Sequence, residues 1–424
     1  MIGIKTLDTI KTFPRSIHVL VIGEAISALA MGIFNFLQIL YYNFIGLSPE
    51  AIGLIFSIGS LFGLAGFFVG PFIKIFGRKN LLCLGVGILS IGIGINVFFA
   101  SFFILLAGQI IISIGTSLIQ VTELQLLYSY TTGCKECCAY SYKYSASLIA
   151  NAVGILVAGN MDRIPYFMHH GYRRLFFCSF IMLFSAGLAR YFLLPKDITV
   201  DADGGEAKRL LAQSISAIKQ DVSIRRFAIL LFLATLSFSG VGPYNNLILK
   251  IAFNLKNSSI SYISFILTIL SMIGIVLMPT IIDKLGVEKF NVIIFAGAIG
   301  CCALLSIVSN TNVFIGILIT RCIFAFMIAS SFESLMMSNI ALDKRDVFAS
   351  VKMLINGISV ALGNFLGGYI LNHFGYRANY VYGAVLLIIA VIFFYLRVRK
   401  YMANKMVEKT ECNCKFKKKT ITFK

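Results

Sequence analysis

The sequence predicts an all-α polytopic membrane protein with twelve transmembrane helices in two pseudo-symmetric six-helix bundles. Three observations predict it. Hydrophobic residues make up 58% of the 424 residues and charged residues 13%, against about 25% charged in a soluble domain. Twelve stretches approach the roughly 20 apolar residues that a helix needs to cross a bilayer. The chain also echoes itself at an offset near 209 residues.

Taken in order, spans are expected near 16–44, 51–73, 81–100, 102–127, 139–161 and 175–194 in the first half. In the second they fall near 227–249, 260–282, 290–309, 313–341, 348–371 and 380–398. The first and tenth are long and should tilt or extend beyond the bilayer. The longest connection, 195–226, carries Asp197, Asp201, Asp203, Gly204 and Gly205, then an amphipathic run from Ala207 to Lys219. It reads as a linker with a short surface helix. The chain therefore divides into a first bundle (1–194), the linker (195–226), a second bundle (227–400) and a basic tail (401–424). Lys415, Lys417, Lys418 and Lys419 in the tail suit either anionic lipid heads or open solvent.

Charge sets the expected orientation. The formal net charge is +19. In a soluble chain that would point to nucleic acid; in a chain of many spans it is explained by the excess of Lys and Arg in cytoplasmic loops. With the N-terminus inside, thirty Lys and Arg fall on the inner side, the margin residue Arg190 among them. Six fall outside: Arg163, Arg173, Arg174, Lys250, Lys256 and Arg377. Both termini are therefore expected in the cytoplasm, and the protein in the plasma membrane as a monomer. Met1 to Arg15 is a polar start without a cleavable signal. With no Trp, any aromatic belt rests on Tyr and Phe.

The repeat is carried by particular residues. Gly77 and Gly286 lie 209 apart, each in a short turn between apolar runs. Lys143 and Lys352, Gly154 and Gly363, and Gly159 and Gly368 keep the same offset. Glu123 and Glu333, and Asn35 and Asn245, are 210 apart. His169-His170-Gly171-Tyr172-Arg173 is echoed by His373-Phe374-Gly375-Tyr376-Arg377. Six spans per half put both halves in one orientation, a parallel repeat.

The first of these turns, Gly70-x-x-x-Lys74-x-x-Gly77-Arg78-Lys79, resembles the loop signature of the major facilitator superfamily, with Lys74 in place of the acid. The second copy keeps the acid as Asp283, followed by Lys284 and Gly286, but lacks the first Gly and has Glu288. Gly46 to Gly53 is similar to the family's first outer loop and the start of its second span. The resemblance covers about residues 15–400. It implies a secondary active transporter working by alternating access, with spans 1, 4, 7 and 10 around a central path, and it names no substrate. The exporter signature of the fifth span is matched only as Ala150-x-x-x-Gly154-Ile155-x-x-Ala158-Gly159, without its Pro. The sugar-porter signatures are not evident.

Polar groups within hydrocarbon must face protein or water. Glu24, Met31, Asn35, Gln38 and Tyr42 share one face of the first span. Burial disfavours the charged form of a carboxyl such as Glu24, which suits it to take up and release protons; a structural hydrogen bond to a neighbouring span is the plainer alternative. Arg321 in the tenth span keeps its charge and needs an anion. That anion is a substrate carboxylate or phosphate, or a permanent acidic neighbour such as Glu24. Asn35, Gln38, Asn245 and Asn246 are the candidates for orienting a solute, and Gly240-Val241-Gly242-Pro243 should interrupt the seventh span.

Glu123 with Lys143, and Glu333 with Lys352, are expected to gate the inner side as salt bridges, together with Lys74, Gly77, Arg78, Lys79, Asp283, Lys284 and Gly286. Interface anchoring is the plainer account of those charges. Cys134, Cys137, Cys138, Cys412 and Cys414 read as reduced cytoplasmic thiols rather than a metal site. No catalytic constellation or phosphate loop converges, so neither an enzyme nor a cofactor is expected. The partners expected are the lipid bilayer, a small solute and a proton or other coupling ion. The reading is a proton-coupled symporter of a small solute, an organic anion in its sharper form. The alternatives are a proton-linked exporter of drugs or metabolites, and a non-transporting solute sensor.

Overall fold

The computed structural model describes residues 12–131, 136–163, 171–195, 206–340 and 345–399. A few helical side chains, including those of Lys74, Glu288 and Glu333, lie outside the description. So do the cysteines at 134, 412 and 414, the His169-His170 pair and the whole basic tail.

The first half holds α1 (Arg15–Phe44), α2 (Pro49–Phe62), α3 (Val69–Phe98), α4 (Phe102–Tyr130), α5 (Glu136–Gly159) and α6 (Gly171–Leu193). The linker helix α7 (Glu206–Gln220) follows. The second half holds α8 (Val222–Val241), α9 (Asn245–Ile251), α10 (Asn257–Leu285), α11 (Val287–Ile307), α12 (Thr311–Asn339) and α13 (Arg345–Phe393). Local chemistry fixes several starts. Ser48 caps α2 with Pro49 in its first turn. Asp221 accepts from the amides of Ser223 and Ile224 to cap α8, and Asn310 does the same for α12.

Ten of the described helical stretches are apolar and long enough to cross a membrane. One of them, Val347–Val398, crosses twice. Gly363 lies against Ser239 and Gly383 against Val241, so two points 20 residues apart sit at one level of α8. Gly375, at φ 80°, turns the chain back between them. The more polar α5, which carries Glu136 and Lys143, makes the twelfth span.

Gly77 (φ 73°, ψ 159°) and Gly286 (φ 79°, ψ 152°) share one positive-φ conformation, a region open essentially to glycine alone. The 209-residue offset thus places the same backbone turn twice, between the second and third spans and between α10 and α11. The glycine pairs repeat as well. A Cβ on Gly154 would collide with Leu29 O of α1, and one on Gly363 would lie 2.9 Å from Leu236 O of α8. Gly159 meets Ser261 of the other half, and Gly368 meets Pro49 and Gly53 of the other half.

Both termini of the helical body and the linker lie on one face, here the linker face; the opposite surface is the far face. Hydrogen bonds join the halves at the far face, and Gly66 against Met353 and Gly357 against Leu64 extend the contact deeper. Asn257 donates to Tyr172 (2.9 Å), Tyr262 to Asn160 (3.3 Å), and His373 Nε2 lies 3.0 Å from Glu50 Oε2. Asn364 donates to Ser60 (3.3 Å) deeper between α2 and α13. The expected break in the seventh span falls at Gly242, between α8 and α9.

Candidate functional site

A cavity of about 420 Å³ opens in the second half, walled by α8, α9, α10 and α12. That is within the usual range for small-molecule sites. Arg321, Asn245 and Asn246, all singled out in the sequence, line it together. Ser264, Thr268 and Cys322 add polar atoms, while Phe238, Leu267, Phe326 and alanines make the remainder apolar.

The interruption between α8 and α9 places Asn245 and Asn246 at a helix start, where the chain has just turned through Gly242 and Pro243. Tyr380 donates to Asn245 Oδ1 (3.2 Å), and Asn245 Nδ2 points to Cys322 Sγ (3.8 Å), which fixes that amide. Asn246 Oδ1 accepts from Ser264 (3.0 Å), which leaves its amide hydrogens for other partners. Arg321 is 2% exposed. Its Nε donates to Cys302 Sγ (3.1 Å) and its guanidinium sits 5.8 Å from the Tyr380 ring centre. No acidic side chain pairs with Arg321 among the described residues.

The acid suggested as a neighbour for it, Glu24, is engaged elsewhere. Arg190 Nη2 lies 3.4 Å from Glu24 Oε2 and 2.8 Å from Glu123 Oε1. Lys143 Nζ lies 2.5 Å from Glu123 Oε2, and Ser147 donates to Glu24 Oε1 (3.1 Å). Two acids and two cations from α1, α4, α5 and α6 thus balance inside the first bundle, toward the linker face. Gly23 makes room for them: a Cβ there would collide with Arg190 Nε.

Two sequence expectations change here. Arg190 is not a loop-margin charge but a fully buried one. Glu123 and Lys143 do pair, but within a single half, so their bridge does not by itself tie the halves together.

The remaining candidates are dispersed. Gln38 is buried; its amide donates to Tyr42 (3.0 Å) and Gln109 (2.7 Å), and Tyr42 donates to Asn96 (2.8 Å). It belongs to a polar chain within the first bundle, away from the cavity. Asn35 is exposed and lines no part of the cavity. Lys79 donates to the Leu194 carbonyl at the end of α6 (2.5 Å) and lies 5.5 Å from the Tyr191 ring, a cation where a helix C-terminus favours one. Asp283 and Lys284 are exposed at the linker-face end of α10. Lys352 lines a second, smaller cavity. The partner proposed for it, Glu333, has a side chain outside the described residues.

Sequence reasoning missed Ser264, Thr268, Phe238 and Arg190. Ser264 and Thr268 stand four apart on one helical face, the one signal that could have found them. Arg190 gave none beyond its closeness to an apolar run.

The Major Facilitator Superfamily model matches residues 20–354. No curated protein sequence matches the chain. Among solved structures, the chain is similar to a bacterial homologue of the human lysosomal transporter Spinster, inward-facing and unoccupied. The TM-score is 0.75 at 12% identity, covering 92% of this chain and 97% of that one. It is also similar to the nucleoside transporter NupG, with TM-score 0.72, 12% identity, and 92% and 99% covered. A bacterial homologue of the iron transporter ferroportin in an inward-facing state gives TM-score 0.70 at 15% identity, with 90% and 98% covered. With its twelve spans, its duplicated turn and a family match over most of its length, the chain belongs to the Major Facilitator Superfamily.

Proposed function

We propose that this membrane transporter carries a small organic anion, coupled to protons, by alternating access to the cavity at Arg321. One observation carries the reading: a buried guanidinium lines a solute-sized cavity with no acidic partner among the described residues. Burying an unpaired charge costs several kcal/mol, and a bound anion removes that cost. The planar fork of Arg matches a carboxylate. Asn246 and Ser264 supply hydrogen bonds beside it, and the apolar walls suit a hydrocarbon body. The named cargoes of the similar structures differ, so the solute class is read from the cavity.

The excess of Lys and Arg in the loops on the linker face supports a cytoplasmic position for it. The hydrogen bonds between the halves cluster at the far face, as expected of a carrier whose site is reached from inside. Gly159 and Gly368, one from each half, make the close contacts of that seal. Glu24 is the proposed coupling acid. Glu123 is held by both Lys143 and Arg190 at short range, whereas Glu24 is held by Arg190 at 3.4 Å and by one hydroxyl. Glu24 is therefore the acid the cluster can protonate while Glu123 keeps its pairs.

The test is uptake of a panel of carboxylates and phosphates into proteoliposomes with and without an inward proton gradient. A carboxylate accumulated only with the gradient, and not by Arg321→Gln, supports the reading. Transport of apolar cations instead, unaffected by Arg321→Gln, would overturn it.

A further inference from the structure

The hydrogen bonds already made around the Arg321 cavity fix what its polar wall still offers a solute. Asn245 has both ends of its amide engaged, Oδ1 by Tyr380 (3.2 Å) and Nδ2 toward Cys322 Sγ (3.8 Å). Asn246 accepts the Ser264 hydroxyl hydrogen on Oδ1 (3.0 Å), so its remaining groups are the two N–H donors. Arg321 can only donate. The hydroxyls are committed the other way. A hydroxyl has one hydrogen and two lone pairs. Ser264 gives its hydrogen to Asn246, and Thr268 gives its own to the Ser264 carbonyl (2.8 Å). Both residues line the cavity, and both hydroxyls keep only the capacity to accept. They stand four apart on one face of α10. The cavity thus has a donor pole, Arg321 and Asn246 on α12 and α9, and an acceptor pole, Ser264 and Thr268 on α10. The poles adjoin where Ser264 meets Asn246.

We infer that the solute is a hydroxylated carboxylate, with its carboxylate on the donor pole and a hydroxyl donating to Ser264 or Thr268. This deepens the anion reading of the Arg321 cavity and rests on it. A plain carboxylate answers the donors alone and leaves the acceptor pole unmatched. A site built to bond a solute hydroxyl disfavours the analogue that lacks one. An ammonium also donates, but it brings a second cation into a cavity that already holds Arg321, and like charges repel. No acidic side chain lines the cavity among the described residues to offset that. A neutral hydroxyl donates without the added charge. Phe238, Leu267 and Phe326 form the apolar wall, which suits a hydrocarbon skeleton between the two polar groups.

The test titrates purified protein with hexanoate, its positional hydroxy isomers, and the matching methoxy and amino compounds, by isothermal calorimetry. The positional series lets the hydroxyl meet the acceptor pole at its own distance from the carboxylate. The readout is the ratio of two affinities on one protein, which a general loss of fold quality does not imitate.

Hexanoate should bind the natural protein and not Arg321→Gln. At least one hydroxyhexanoate should bind about tenfold tighter than hexanoate, and its methoxy and amino counterparts should not. The gain should fall in Thr268→Val and vanish when Ser264→Ala is added. Thr268→Ser, which keeps the hydroxyl, should retain it. Hydroxy isomers no tighter than hexanoate, with hexanoate still dependent on Arg321, would overturn the acceptor pole and leave the anion site standing. A gain that survives the Ser264→Ala, Thr268→Val double variant would overturn its assignment to those two residues. Methoxy or amino compounds that gain as much as the hydroxy ones would overturn the neutral hydroxyl donor. Binding by no member of the series, in protein that still shows a cooperative thermal transition, would overturn the anion site and the acceptor pole together.

Discussion

The two halves of this molecule descend from one pattern and solve the problem of buried charge in opposite ways. The first half encloses two acids and two cations, Glu24, Glu123, Lys143 and Arg190, which neutralise one another. The second half buries Arg321 beside thiols, a phenol and amides, with a cavity in front of it. A neutralised cluster needs no anion from outside, whereas an unpaired buried cation asks for one. In the function proposed above, this contrast corresponds to proton handling in the first half and solute handling in the second.

The largest effect should separate the two arginines. Arg190→Gln leaves Glu24 and Glu123 short of their shared cation. It should cost about 3–5 kcal/mol of stability, seen as a large fall in thermal unfolding temperature in detergent. Arg321→Gln orphans no carboxylate, so it should leave the unfolding temperature unchanged or raised while abolishing anion binding. Equal destabilisation by both would erase the comparison.

Next in size is Asn246→Asp. A carboxylate fixed in the cavity that Arg321 lines imitates the proposed anionic solute. It should stabilise the empty protein by about 1 kcal/mol or more and weaken added anions at least about tenfold, both read by thermal shift. Glu24→Gln should remove pH-driven accumulation while sparing exchange of labelled solute across the membrane. Intact pH-driven uptake would take Glu24 out of the mechanism.

A subtler test sharpens the symmetry. Gly159→Leu and Gly368→Leu add bulk at equivalent places on the far-face seal. Each should shift spin-label distances toward a far-face-open state, and to a similar degree. The smallest effect is expected at the exposed His373–Glu50 pair, where His373→Gln should change stability by less than about 1 kcal/mol.

Much of this architecture can be read from the chain because hydrocarbon is an exacting solvent. It demands long apolar helices, and it leaves Gly77 and Gly286 standing out as the punctuation between them. The second-half site is legible for the same reason: Arg321, Asn245 and Asn246 are conspicuous within apolar runs, and α9, α12 and the α8 break bring them together. Ser264 and Thr268 are quieter, since a hydroxyl can bond to its own helix and costs a span little; Thr268 does so to Ser264 O. Gln38 shares a face with Glu24 by spacing, yet Gln109 across the bundle claims it. Arg190 shows the limit most clearly. Four residues from the end of an apolar run, its side chain can reach water or turn inward, and the choice is made by Glu123 and by the room at Gly23, on other helices.

The most direct measurement is thermal stabilisation of purified protein by a series of organic carboxylates and phosphates, at acidic and at neutral pH, for the natural chain and for Arg321→Gln. A ligand stabilises in proportion to the logarithm of its concentration over its dissociation constant. At least one anion should raise the unfolding temperature of the natural chain, and Arg321→Gln should abolish the shift while remaining folded. Anion shifts that persist in Arg321→Gln, or shifts produced by apolar cations alone, would contradict it.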